Sequence, residues 1–492
     1  MTTTTAHGDL WLGAPARQRL ERRLRDGLAH ARATGAPALV SVTARLTGAR
    51  DPSAIVLGSR RPGEAWFCFE QPDRDAIAIG ALGTVRSLEA AGPGRFDELA
   101  ARWSRLAAGA LADETSESGG GGASGASGAS GTGPASGLVA LGGFAFAHDG
   151  GGSPAWSGFA PASLIVPELS LARRGDTTWL TVNVDVAPDD TIADALSGVQ
   201  RRLDQLAQRP LPLLDPAPIG TYDVVSPMPP AHYEEAVVRA TERIAAGEME
   251  KVVLAREVEV HAPRAHDPAA VLGLLREAFP TSFVYAVGRG ESTFIGATPE
   301  LLVRLQGQRA STVALAGSTR RSADPAVDDH LGERLLRSDK DRHENEIVAR
   351  RIARELRPHA IWVTAADEPV LVRVANIQHL ARPIRAQLAA PVDAVALAGR
   401  LHPTPAVGAE PAEAVAMIPA LEGFDRGWYA GTVGWTDAAG DGEFCVALRC
   451  ALLHDRLARC YAGCGIVRDS DPASELAETE IKLQVMLPAL AG

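Results

Sequence analysis

Two pairs of carboxylates, far apart in the chain, carry the same spacing. In Asp471-Pro-Ala-Ser-Glu475-Leu-Ala-Glu478-Thr-Glu-Ile-Lys482, Asp471 suits a helix N-cap and Pro472 a first helical position, which predicts a helix over 472–486. Glu475 and Glu478 then share one face, with Lys482 one turn further on. In Ser338-Asp-Lys-Asp341-Arg-His-Glu344, Asp341 and Glu344 repeat the pair on a helix predicted to run through 326–357. Four carboxylates brought together would repel one another unless a hard cation such as Mg²⁺ joined them. Taken singly, either pair reads as a solvated helix face.

Other segments carry chemistry-bearing residues that are equally ambiguous alone. Lys251 opens the strand-like run Lys-Val-Val-Leu-Ala-Arg256; it either snorkels to water or, if its surroundings disfavour the charge, serves as a base. Glu300 follows Pro299 on the predicted strand face opposite Leu301, Val303 and Leu305. Facing water it is inert, and in a dry cleft its pKa rises until it can donate a proton. Glu443, Cys445, Ala447, Arg449 and Ala451 read as one strand face with small residues around the arginine, and Gly463 and Gly465 weaken the next strand unless backbone must approach something. An arginine beside backbone amides suits a carboxylate; an ion pair plus a bulge is the plainer reading. Gly317, in Ala-Leu-Ala-Gly-Ser-Thr-Arg, and His402, in Leu-His-Pro-Thr-Pro-Ala, are suggestive in the same way.

Those residues need a frame. At 492 residues the chain can bury a large core as two domains or one layered sandwich. A net charge of −11 argues against a general nucleic-acid binder and leaves room for a small anion where Arg and Lys converge. The longest near-apolar run, 137–147, is about half the length of a membrane span, so no membrane association is expected. The first residues lack a basic segment followed by an apolar one, and a cytoplasmic protein is expected. Cys68, Cys445, Cys450, Cys460 and Cys464 match no zinc pattern and read as small apolar residues.

Residues 114–137 are rich in Gly, Ala and Ser with no large apolar side chain, which predicts a flexible insertion. Strand-like runs at 138–146 and 179–184 follow it, so it interrupts a sheet rather than separating domains. The proline-rich stretch 210–230 marks a boundary between residues 1–225 and 226–492. Beyond it, 283–287 and 293–296 read as a hairpin, and helices at 391–401 and 411–418 alternate with strands at 361–363, 429–436, 443–453 and 457–467. The fold class is α+β, with antiparallel sheet layers covered by helices.

In this order, the Lys251 strand, Ala-Thr-Pro-Glu300-Leu, Leu-Ala-Gly317-Ser-Thr-Arg-Arg, Ser338 to Glu344, Ile377-Gln-His-Leu, Leu-His402-Pro-Thr-Pro-Ala, Phe424-Asp-Arg, Tyr429-Ala-Gly-Thr-Val-Gly-Trp, Leu-Arg449-Cys, Tyr-Ala-Gly463-Cys-Gly-Ile-Val and Glu475-Leu-Ala-Glu478 closely resemble the isochorismate synthases of the chorismate-utilising enzymes. The resemblance covers 226–490 and implies a large α/β/α sandwich of antiparallel sheets flanked by helices, to which 1–225 also contributes. It implies Mg²⁺-dependent conversion of chorismate to isochorismate: water adds at C2 and the C4 hydroxyl leaves, with Lys251 as base and Glu300 as acid. It further implies that Glu344 and Glu478, supported by Asp341 and Glu475, bind the metal. Arg449, Tyr429, Gly463, Lys482, Gly317 and His402 would line the substrate site. A monomer with no obligatory glutaminase partner is implied, serving menaquinone or siderophore synthesis. The alternatives are a salicylate synthase, an aminodeoxychorismate or anthranilate synthase component, and an inactive relative. The lysine at 251 counts against anthranilate synthases, and the acid, the base and the metal carboxylates are all present.

Overall fold

A computed structural model describes residues 11–113, 135–215 and 220–491. Two large sheets, of twelve and ten strands, face each other, and their strands pair antiparallel. Alternation along the strands explains the layering. In Trp66–Gln71, Phe67 and Phe69 point into the core between the sheets, while Trp66 and Cys68 point to a second core under the outer helices. Phe283, Tyr285 and Val287 alternate with Val284 and Ala286 in the same sense. Most sheet residues are therefore buried on both faces. All five cysteines are free and buried, as expected of apolar fillers.

Residues on both sides of the expected boundary share each sheet. Trp66–Gln71 pairs with Phe283–Arg289 in the first, and Val139–Phe144 with Thr432–Asp437 in the second. Within the proline-rich stretch, Asp223–Val225 adds to the edge of the Lys251–His261 strand, so no clean break occurs there. The Gly/Ala/Ser expectation falls mainly on 114–134, outside the described residues. Its last residues differ from expectation, since Ala135 and Ser136 are buried. No helix among the described residues is long and apolar enough to cross a membrane.

Two of the connections that pass between the sheets build the site. The chain leaves Ser292–Thr298 of the first sheet and enters Leu301–Gln306 of the second through Pro299 and Glu300. It returns from Gly442–Val446 of the second to Cys450–His454 of the first through Ala447, Leu448 and Arg449. The predicted single strand over 443–453 is thus broken, with Arg449 in a left-handed conformation at φ 50°. The crossings run side by side, tied by Val446 N–H to the Glu300 carbonyl at 3.0 Å and Ala297 N–H to the Arg449 carbonyl at 3.1 Å.

The predicted helix over 326–357 is two helices, Pro325–Arg337 and Asp339–Leu356, because the Ser338 hydroxyl accepts from Asp341 N–H and starts the chain afresh. The second lies on the ten-stranded sheet. There Asn345, fully buried, donates to the carbonyls of Ala314, Ala316 and Leu380. The helix Pro472–Leu483 has the Asp471 cap and Pro472 start read from the sequence, and packs on Leu457–Ile466 of the other sheet.

Candidate active site

The two crossings and the two acidic helices meet at one cavity. It is lined by Glu300, Arg449, Gly317, Ser318, Glu344, His379, Tyr429, Gly463, Glu478 and Lys482. Most of the residues singled out in the sequence are therefore brought together. Lys251 lies at its edge, fully buried, with Nζ 2.8 Å from Glu344 Oε1. Gly465 makes that pair possible, since a Cβ there would stand 2.1 Å from Glu344 Oε1 and 2.7 Å from Lys251 Cε. Gly317 sits in a bulge at φ 78°, where a Cβ would come 2.9 Å from that of Asp341.

Glu300 and Arg449 owe their positions to the crossings. Neither is on a strand face, and Glu443, predicted to share a face with Arg449, instead pairs with Arg74 and Arg304. Burial pushes the Glu300 carboxyl up to about 7, against the pull of Arg449, Lys251 and Lys482. A proton is therefore available on this carboxyl near neutrality. His379, part of the Ile377-Gln-His-Leu motif but given no role from it, is held neutral by burial and by Arg449 and Lys482, with a pKa of about 3. Its Nε2 lies 3.5 Å from an Arg449 guanidinium nitrogen, so it can steady that arginine without adding charge.

His402 departs from expectation. It lies outside the lining, its Nε2 3.1 Å from the Phe146 carbonyl and its ring against Phe96 and Phe146, where burial holds it neutral at about 3. Lys482 bonds Glu478 Oε1 at 2.6 Å and the Gly463 carbonyl at 2.9 Å. Glu478 also accepts from Ser318 at 2.6 Å; although burial opposes its charge, Lys482, Ser318 and Lys340 hold it down at about 2. Asp341 is pushed up by burial and by Glu344 and Glu478, and Glu475 by burial and by Glu478.

Asp341 thus feels Glu344 and Glu478, and Glu475 feels Glu478, so carboxylates of the two helices lie close enough to interact. Oxygens of Glu475 and Glu478 and the sulfur of Cys464 lie within 4.8 Å of one another. Burial keeps Cys464 a thiol, and its Sγ donates to the Glu475 carbonyl at 3.4 Å, so the donors left for a metal are carboxylate oxygens. That set fits a hard divalent ion and not zinc. The free volume is only about 50 Å³, and two of its lining carboxylates, Glu344 and Glu478, are paired with Lys251 and Lys482. A roomier hollow of about 530 Å³ by Arg60, Trp66 and His454 contains none of these residues.

Behind the cavity lies a buried clamp. Arg426 donates to Glu422, to the Val253 carbonyl at 2.9 Å and to the Val407 carbonyl at 2.8 Å, while Glu422 accepts from Ala255 N–H at 2.6 Å. It fixes the Lys251 strand against Val407, and both Val253 and Val407 line the cavity.

The family model described as chorismate binding enzyme matches residues 26–491. The chain is 35% identical over 429 residues, 86% of its length and 84% of the relative's, to the salicylate biosynthesis isochorismate synthase of Pseudomonas aeruginosa. It is 35% identical over 359 residues, 73% of its length and 76% of the relative's, to the isochorismate synthase MenF of Bacillus subtilis. Among solved structures, the menaquinone-specific isochorismate synthase MenF of Escherichia coli superposes with a TM-score of 0.74 at 25% identity, covering 96% of this chain and 100% of that one.

Proposed function

The chain belongs to the chorismate-binding enzyme family, and from that premise we propose that it is an isochorismate synthase that moves the hydroxyl function of chorismate from C4 to C2. The reading rests on one observation above all: a buried carboxyl with a pKa of about 7, Glu300, and a buried lysine, Lys251, at a cavity that also holds Arg449 and Lys482. The reaction needs a proton taken from the water that attacks C2 and a proton given to the hydroxyl that leaves C4. Glu300 holds its proton near neutrality and is the donor. Lys251, once its pair with Glu344 opens and it sheds its proton, is the acceptor. Arg449, Tyr429, Lys482 and the Gly463 backbone hold the two carboxylates of the substrate, which explains why an acidic protein gathers cations here.

Mg²⁺ is the proposed cofactor, with Glu344 and Glu478 as its holders and Asp341 and Glu475 in support. When bound, it would neutralise these acids and hold the ring carboxylate. Each remaining role belongs to the protein's own side chains. The enzyme is proposed to act as a cytoplasmic monomer without a glutaminase, supplying menaquinone or siderophore synthesis. The name of the Escherichia coli structure, a menaquinone-specific isochorismate synthase, supports the first of these uses.

Incubation with chorismate and Mg²⁺, with and without ammonium, followed by chromatographic identification of the product, tests the proposal. Isochorismate in both mixtures is expected, with loss of turnover on chelation. Salicylate with pyruvate, or an amino product, would overturn it.

A further inference from the structure

Three lysines pair with the carboxylates of the two acidic helices, and one of them is placed unlike the others. Lys482 pairs with Glu478 on its own helix, and Lys251 pairs with Glu344 at full burial. Lys340 reaches from the first turn of Asp339–Leu356 to Glu475 on the other acidic helix, bonding Oε1 at 2.7 Å. A cation in the first turn of a helix opposes the helix dipole, so the position favours a lysine only because acids surround it. Glu475 is almost wholly buried, whereas the Lys340 side chain remains 34% exposed. Its charge also acts on Glu344 and Asp341, and on Glu478, so one ammonium offsets the charge of all four carboxylates.

We infer that Lys340 is a displaceable internal cation that holds the two acidic helices together and must leave Glu475 when a divalent ion binds, so that it weakens metal affinity in exchange for a stable metal-free site. The inference rests on the metal-dependent reading above and adds a residue that opposes the metal. Its partial exposure and flexible stem allow the ammonium to swing into water and rehydrate at little cost. The fully buried Lys251 has no such exit.

Magnesium chloride titrated into the whole protein by calorimetry, at constant ionic strength, tests this with Lys340→Met and Lys340→Arg. The methionine keeps the stem and removes the charge; Mg²⁺ should then bind about tenfold more tightly, the effect of removing one unit charge beside the site even with water-like screening. The arginine keeps the charge, and its affinity should stay within about threefold of the parent. Circular dichroism checks the fold of each. Unchanged or weaker binding in Lys340→Met, or equal tightening in both variants, overturns the inference while leaving the metal reading intact. If none of the three proteins binds Mg²⁺, the metal reading fails and the inference with it.

Discussion

Replacing Glu300 by glutamine should stop turnover and stabilise the protein, and the stabilisation should appear only above the pH at which an ordinary glutamate ionises. Burial lifts this carboxyl from 4.5 to about 7. Below pH 4.5 it is protonated in folded and unfolded chains alike, and it adds no pH dependence. Between 4.5 and 7 the folded chain keeps the proton and the unfolded chain has lost it, so stability falls as pH rises. Above 7 both forms are ionised and the deficit stays constant, at about 3 kcal/mol. The glutamine carries no charge to bury and escapes this loss. For a chain of 492 residues the unfolding entropy is about 1 kcal/mol per kelvin, so the variant should gain about 3 °C relative to the parent between pH 4.5 and about pH 8. Because both sheets contain strands from both halves, one cooperative transition is expected and calorimetric midpoints are comparable. A midpoint difference that does not change with pH, or a variant that retains turnover, would refute the assignment of Glu300 as a buried, protonated acid.

Three further outcomes follow from the same geometry. The kcat/KM of the parent should decline above pH about 7 as Glu300 loses its proton, and a profile that stays flat to high pH removes it as the donor. Gly465→Ala should lower kcat about a hundredfold with the fold retained, because the new methyl group displaces the Lys251–Glu344 pair; steady-state kinetics beside circular dichroism decide it, and near-parental kcat counts against that pair. Arg426→Met strands the Glu422 charge in the interior and should cost about 3–5 kcal/mol, a drop of several degrees in the calorimetric midpoint. Adding Glu422→Gln should restore part of it, and a double variant no more stable than the single one contradicts the clamp.

What could be read from the sequence and what could not divides along physical lines. The Glu475–Glu478 helix was legible because its start depends on neighbours: Asp471 caps it by accepting from Ser474 N–H, and Pro472 fits its first turn. The break at Ser338 used the same local chemistry, which was overlooked within a long polar run. Glu300 and Arg449 were identified, but their surroundings were not. A period of two reveals which face a residue takes within one sheet, and nothing in it reveals that the chain is about to leave one sheet for the other. The left-handed turn at Arg449 carries no glycine to announce it. His402 shows the converse, a motif residue held in the core by Phe96 and Phe146, the nearer of which lies 256 positions away in the chain. Nothing local marks Lys340, because its partner Glu475 lies 135 residues further on.

The division of labour within the site follows from the same architecture. Glu300 and Arg449 stand on backbone that crosses between two sheets and is hydrogen-bonded on either side, so they cannot shift without disturbing both sheets. A proton donor gains from that rigidity, since its reach to the leaving oxygen must not vary. The carboxylates and Lys340 instead stand on two helices, one packed on each sheet, joined across the cavity by the Lys340–Glu475 ion pair rather than by backbone. Side chains there can part by rotation, and in so tight a cavity they must part before a dianion enters. The proton donor and the arginine proposed to orient the substrate are thus fixed by backbone, and the carboxylates and Lys340, which hold and offset charge, are free to move.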